Sequence, residues 1–237
     1  MTHVGVAGGP AGPQRRVAGL APREHRVGAP RRTDHVHEVG PVAHDHAALV
    51  DAFTRLGELT GEARWTAAAA ATAEAMLDLF SDDERGGLFT TGHDAEALIT
   101  RPKDLMDNAT PSAQSSAAVA LLRLGALTGD TRHVDAAERI LALLGPLAGE
   151  HPTAFGHLLT AVDLHTAGIT EVVVVGDRPD LVDVVRSAWR PHAVLAWGEP
   201  GDSPLWAGRT PGHAYVCRHF ACRQPATTPE ELRAQLA

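Results

Sequence analysis

The chain has 237 residues, 44% of them hydrophobic, which is enough for a packed core; its net charge is −8 and its pI about 5.9. That acidic balance argues against nucleic acid as a partner, and no apolar run approaches the ~20 residues of a membrane span. Two cysteines do not make a disulfide framework in a chain of this length, and the N-terminus lacks the continuous apolar stretch of a signal peptide, so the expected compartment is the cytoplasm.

Residues 1–45 hold 12 Gly or Pro, six Arg and five His, with no aromatic and no apolar period. Such a segment cannot bury enough surface to offset its ordering entropy, and it reads as unstructured. From residue 46 the pattern is helical. Leu49, Ala52, Phe53, Leu56 and Leu59 share one face, and Gly61 follows at a capping position. Trp65, Ala69, Thr72, Ala73, Met76 and Phe80 mark a second helix, and "SDDERGGLF" breaks it into a loop. A third helix is predicted over about 111–127, with Thr110 as N-cap and Pro111 at N1. A fourth covers about 131–145. A fifth starts at Pro152, with Phe155, Leu158, Leu159 and Val162 on one face.

After Gly168 the period changes. "EVVVVGD" reads as a buried strand, Asp177 as the cap of a helix over 178–189, and "HAVLAWG" as a second strand. Gly176 stands alone between strand and helix, without the G-x-G-x-x-G of a dinucleotide loop, so no cofactor is expected. "AYVCRHFACRQP" reads as a further strand. On a straight strand Cys217 and Cys222, five apart, point to opposite faces, which argues for two reduced cysteines rather than a disulfide or zinc pair. "TPEELRAQL" closes the chain as a helix, with Thr228 and Glu231 as a capping box.

An internal repeat organises the helical part. "RLGELTGEAR" (55–64) matches "RLGALTGDTR" (123–132) at an offset of 68 residues, 123 against 55. In each copy a helix ends in Leu-Thr-Gly and an Ala-rich helix returns, which is an αα-hairpin. Repeated hairpins stack because each alone leaves an apolar face uncovered.

The basic residues number 21, and 20 are arginine; Lys103 is the single lysine and Asn108 the single asparagine. Their survival in so biased a composition suggests that these side chains are wanted. Asp107 and Asn108 are expected in a loop above a helix N-terminus, where the dipole and free N–H groups favour anions or sugar hydroxyls. Arg101 and Lys103 add positive charge there; Ser112, Gln114 and Ser115 add donors and acceptors. A capped helix preceded by a loop requires these same residue types. Asp104 and Asp107 are the carboxylates near this loop, and His151 and His157 are histidines suited to proton transfer. The "HDH" at 44–46 reads as a cap flanked by exposed histidines rather than a metal site, so no metal is expected.

The stretches "RPKDLMDNATPSAQSSAAVALLRLGALTGD", "EVVVVGD", "LWAGRTP" and "AYVCRHFACRQPATTPEELRAQL", in that order over about 46–237, resemble the thioredoxin-domain-containing proteins similar to spermatogenesis-associated protein 20, the YyaL-like family. The resemblance implies a mostly α fold: an α/α toroid of the six-hairpin type, similar to N-acylglucosamine 2-epimerases, with a small α/β C-terminal element. It also implies a thioredoxin-like domain, which this chain lacks together with any C-x-x-C. About five toroid helices are countable against twelve, so the ring is expected to be incomplete and the chain truncated, with 46–168 as a partial toroid and 169–237 as the α/β element. Ala113-Gln114 stands where the family has Gly-Asn. Two readings follow. One is a carbohydrate-processing-like remnant whose substrate rim is Arg101, Lys103, Asp107, Asn108, Ser112, Gln114 and Ser115. The other is a non-catalytic scaffold for a thioredoxin-like partner. Missing hairpins would leave Leu49, Phe53, Leu56, Trp65, Met76 and Phe80 uncovered and favour self-association.

Overall fold

A computed structural model describes residues 42–95 and 99–237. The unstructured reading of 1–45 therefore lies outside the described residues except at its end, where helix α1 opens at Ala43. Among the described residues the fold is mostly α, with seven helices and a four-stranded sheet. The first five helices form two hairpins and a single helix: α1 (Ala43–Thr60) with α2 (Ala63–Phe80), α3 (Ala113–Thr128) with α4 (Thr131–Glu150), and α5 (Gly156–Ala167). Among the described residues no helix is long and apolar enough to cross a membrane.

The repeat is structural as well as sequential. Gly61 and Gly129 end α1 and α3 in the left-handed region, at φ 72° and 75°, and each donates its N–H back to the carbonyl four residues earlier. That conformation favours glycine and turns the chain sharply into the returning helix. The first glycine of each copy has a second task. A Cβ on Gly57 would meet Thr66 Oγ1 at 2.8 Å, and one on Gly125 would meet Val134 Cγ2 at 2.7 Å. Both hairpins thus close through the same small-residue approach, nine positions on from the glycine.

Helix α3 is the hub. Fourteen of its residues, from Ala113 to Leu127, are buried, and it packs against α1, α4, α5 and α2. A helix that is mostly apolar around its circumference, with its buried Gln114, Ser115 and Arg123 all hydrogen-bonded, belongs inside a structure rather than on its surface. The sequence places the third helix at 111–127 with Thr110 as cap; the structure corrects this to Ser112, whose hydroxyl accepts from Ser115 N at 3.1 Å. The earlier cap fails because 108–110 closes its own turn, with Asn108 N donating to Thr110 O. The uncovered-face expectation is also corrected in part. Met76 and Phe80 are buried, because residues 81–93 fold back over the end of α2, and Phe53 stacks on Trp65 with ring centres 5.7 Å apart. Leu49 and Leu59 remain exposed on α1.

The C-terminal element is β1 (Thr170–Val174), α6 (Pro179–Arg186), β2 (Ala193–Trp197), β3 (Ala214–Arg218), β4 (Ala221–Cys222) and α7 (Pro229–Leu236), in sheet order β2-β1-β3-β4. Strands β1 and β2 are parallel with α6 as crossover, and β3 is antiparallel to β1. Val172 and Val174 face α6 and α7, while Val173 packs with Leu205 and Tyr215 on the other side. Cover on both faces explains the unbroken valine run. Val194 of β2 packs with Ala126 and Leu127, which seats the sheet against the end of α3. The Thr228–Glu231 capping box forms as read, whereas α6 has Arg178 as N-cap rather than Asp177, with no side-chain cap bond.

The cysteines require a correction. Cys217 and Cys222 are joined by a disulfide. The straight-strand argument fails because the segment is a hairpin: His219 and Phe220 take positive φ, 49° and 61°, reversing the chain between β3 and β4. That turn makes Cys217 and Cys222 direct cross-strand partners.

Candidate functional site

The seven residues read as a substrate rim gather around the N-terminal end of α3, and most are engaged with the protein itself. Arg101 donates to the carbonyls of Leu79 and Thr91. Lys103 pairs with Asp82 at 2.7 Å, donates to Gly86 O and lies over the Phe89 ring. Gln114 behaves like a piece of strand, accepting from Leu88 N and donating to Leu88 O. Ser112 and Ser115 are buried and bonded to each other. Asn108 is exposed, its amide on Met106 O. Lys103 and Gln114 therefore hold the 82–88 turn from two sides.

Asp107 joins two helices. Its carboxylate accepts from Ser112 N at 2.8 Å, at the start of α3, and from His157 N and Leu158 N at 2.7 and 3.2 Å, in the first turn of α5. Burial pushes its pKa up, but the bonds from Ser112, Ser115, His157 and Leu158 outweigh it and hold the carboxyl below its ordinary range. A carboxylate kept ionised in this way is a poor general acid. Asp104 is exposed, His151 caps the end of α4, and the backbone of His157 is committed to Asp107. At 44–46, Asp45 accepts from Val42 N, and His46 lies edge-on to Phe80.

A cleft of about 810 Å3 opens elsewhere, at the opposite end of α3. Sixteen helical residues put the two places roughly 24 Å apart. Both turns of the repeat form its walls, Gly61-Glu62 on one side and Thr128-Gly129-Asp130 on the other; the end of β2, at Trp197, and the segment after it, with Glu199 and Trp206, close it. Sequence reasoning found the repeat but missed the cleft, because the third wall comes from residues about 70 positions beyond the second turn.

That wall is held by a network. Arg123 Nη2 meets both oxygens of Glu58 at 2.9 Å and the carbonyl of Ala193 at 3.1 Å, while Leu195 N donates to Glu58 Oε1. Trp197 Nε1 and Arg186 donate to the end carbonyls of α1, at Glu58 and Leu59. Glu199 accepts from Ala63 N, the start of α2. The groups left open at the first turn are thus satisfied by the C-terminal element.

One wall of the cleft carries titratable groups. Arg132 bridges Glu74 and Asp130 at 2.8 and 2.6 Å. The Arg132 bond lowers the Asp130 pKa against the opposing effect of burial. His133 is 1% exposed, and burial depresses its pKa against the pull of Asp130 and Glu74. Its Nε2 has no hydrogen-bond partner among the described residues and faces Glu74 Oε1 at 3.8 Å.

The chain is similar to spermatogenesis-associated protein 20. It is 30% identical to the human protein and 28% identical to the rat protein, each over 209 residues that cover 81% of this chain and 27% or 26% of the relative. The mouse protein is 27% identical over the same length. The chain therefore spans about a quarter of the length of these relatives. No protein-family model matches it.

Proposed function

We propose that this relative of spermatogenesis-associated protein 20 binds a small polyhydroxylated ligand of the carbohydrate class in the cleft between its two Leu-Thr-Gly turns. The observation that carries this reading is the cleft, whose volume of about 810 Å3 falls in the range of small-molecule sites. Sugars present an apolar C–H face and a rim of hydroxyls. Half-buried Trp197 and Trp206 supply aromatic surface for the first, and the carboxylates of Glu62, Glu199 and Asp202 supply acceptors for the second. In this reading the residues from Arg101 to Ser115 brace the far end of α3 and meet no ligand.

Ligand-detected NMR of the full chain with a panel of mono- and disaccharides tests it. Saturable binding that is lost in Trp206→Ala and retained in Asn108→Ala is the expected result. No binding across the panel refutes the proposal. Loss in Asn108→Ala with retention in Trp206→Ala moves the site to the rim at the N-terminal end of α3.

A further inference from the structure

His133 has one ring nitrogen near a hydroxyl and the other without a partner among the described residues. Thr128 Oγ1 donates its single hydrogen to Leu124 O at 2.9 Å, so toward His133 Nδ1, at 3.5 Å, the hydroxyl oxygen can only accept. The tautomer with the hydrogen on Nδ1 fits this contact, and in it the unpartnered Nε2 offers a lone pair. Opposite it, at 3.8 Å, stands Glu74, also an acceptor. Two acceptors facing each other at the edge of a buried ring call for a cation or a donor between them. Asp130 completes the group: one ligand atom from each of Glu74, Asp130 and His133 lies within 4.8 Å of the others.

We propose that Glu74, Asp130 and His133 bind a divalent first-row transition cation, such as zinc, on the wall of the cleft. One imidazole nitrogen and two carboxylates are a donor set for such ions, and three protein ligands leave a coordination position open to the cleft. The Nδ1–H bond to Thr128 is the outer support that orients a ligating imidazole. Arg132 is the competitor, since it now bridges the two carboxylates. It is 64% exposed, and surface pairs of this kind are weak enough for a metal to displace. Glu74 is exposed too and can turn to shorten the 4.8 Å spread. The site does not depend on the sugar reading, because it is probed with metal alone.

Cobalt titration of the full chain, followed by visible ligand-field absorption and competed with zinc, provides the test. One saturating equivalent is expected. His133→Asn and Glu74→Gln should each weaken binding about tenfold or more. Arg132→Ala should tighten it severalfold, because the competing guanidinium is gone. Glu74 is solvent-facing, so its variant reads out even where His133→Asn fails to fold. Absence of a cobalt band overturns the proposal. So does a band undiminished in Glu74→Gln, which would place the metal on other histidines, or weaker binding in Arg132→Ala.

Discussion

At the scale of single residues, Asp107 shows how much one carboxylate can organise. It accepts backbone N–H groups from the first turns of two helices that meet at the core. Asp107→Ala leaves those donors unpaired in a partly buried place. A loss of about 1–3 kcal/mol is expected from the usual strength of charge-assisted bonds, measured by urea denaturation. The pH dependence has a definite sign. Because the folded-state pKa is depressed, the contribution is fully present above the ordinary carboxylate range and drains away as pH falls through the folded value. Asp107→Asn should therefore flatten the acid limb of stability against pH and leave the neutral region's slope unchanged. A variant as acid-sensitive as the parent would assign that limb to other carboxylates. Lys103 was legible as a residue under constraint, since it stands alone among arginines. Its partners Asp82, Gly86 and Phe89 were not, because nothing in a sequence pairs a loop lysine with a turn some 20 residues upstream.

At the scale of elements, periodicity was a sound guide wherever local spacing decided the outcome. The five helices, the two strands around α6 and the last capping box follow from apolar period, glycine placement and cap chemistry, although α5 opens at Gly156 rather than Pro152, which lies in a separate 3-10 turn, Pro152–Ala154. The cysteine hairpin was illegible because its turn uses two non-glycine residues at positive φ, which carry no glycine or asparagine signal. The cap of α3 shifted by two residues for a similar reason, since Ser112, Thr110 and Pro111 all suit a helix start. The hairpin glycines give a graded test. Alanine in a helix interior normally gains about 1 kcal/mol over glycine. At Gly125 the added methyl would press on Val134, whose branched side chain is stiff on a helix. At Gly57 it would press on the Thr66 hydroxyl, which can rotate away. Thermal melts should therefore show Gly125→Ala destabilised by about 1–2 kcal/mol and Gly57→Ala near neutral. The reverse order would mean that the two hairpins close by different contacts.

At the scale of the whole molecule, Arg123 links the helical part to the sheet. It is 3% exposed and lies against Glu58, Ala193 and Pro191, which come from α1, β2 and the segment before it. Arg123→Met removes the guanidinium and leaves mostly buried Glu58 with only the more distant Arg55, at 4.0 Å, as counter-charge. Loss of one partner from such a pair costs about 3–5 kcal/mol. Glu58→Gln in the same background should recover part of it, as a double-mutant cycle would reveal. Unfolding should remain a single transition by fluorescence and circular dichroism, since α3 packs on both parts. Two separated transitions would show that the sheet folds apart from the helices. The cleft arises at this scale as well. Its two repeat walls could be read from the sequence, while its third wall follows from how the sheet docks on α3, which no local pattern encodes.

The closing of the first turn by distant residues has a consequence in time. The carbonyls ending α1 and the N–H opening α2 find partners at Arg186, Trp197 and Glu199, and the Ala63–Glu199 bond spans 136 residues. Synthesis at about 5–20 residues per second places roughly 7–27 s between emergence of its two ends. During that interval the first hairpin has left the ribosome while its exposed end still depends on water. A nascent chain halted near residue 150 should therefore be cut readily by protease around 58–64. One halted after 199 has cleared the exit tunnel should resist at the same bonds.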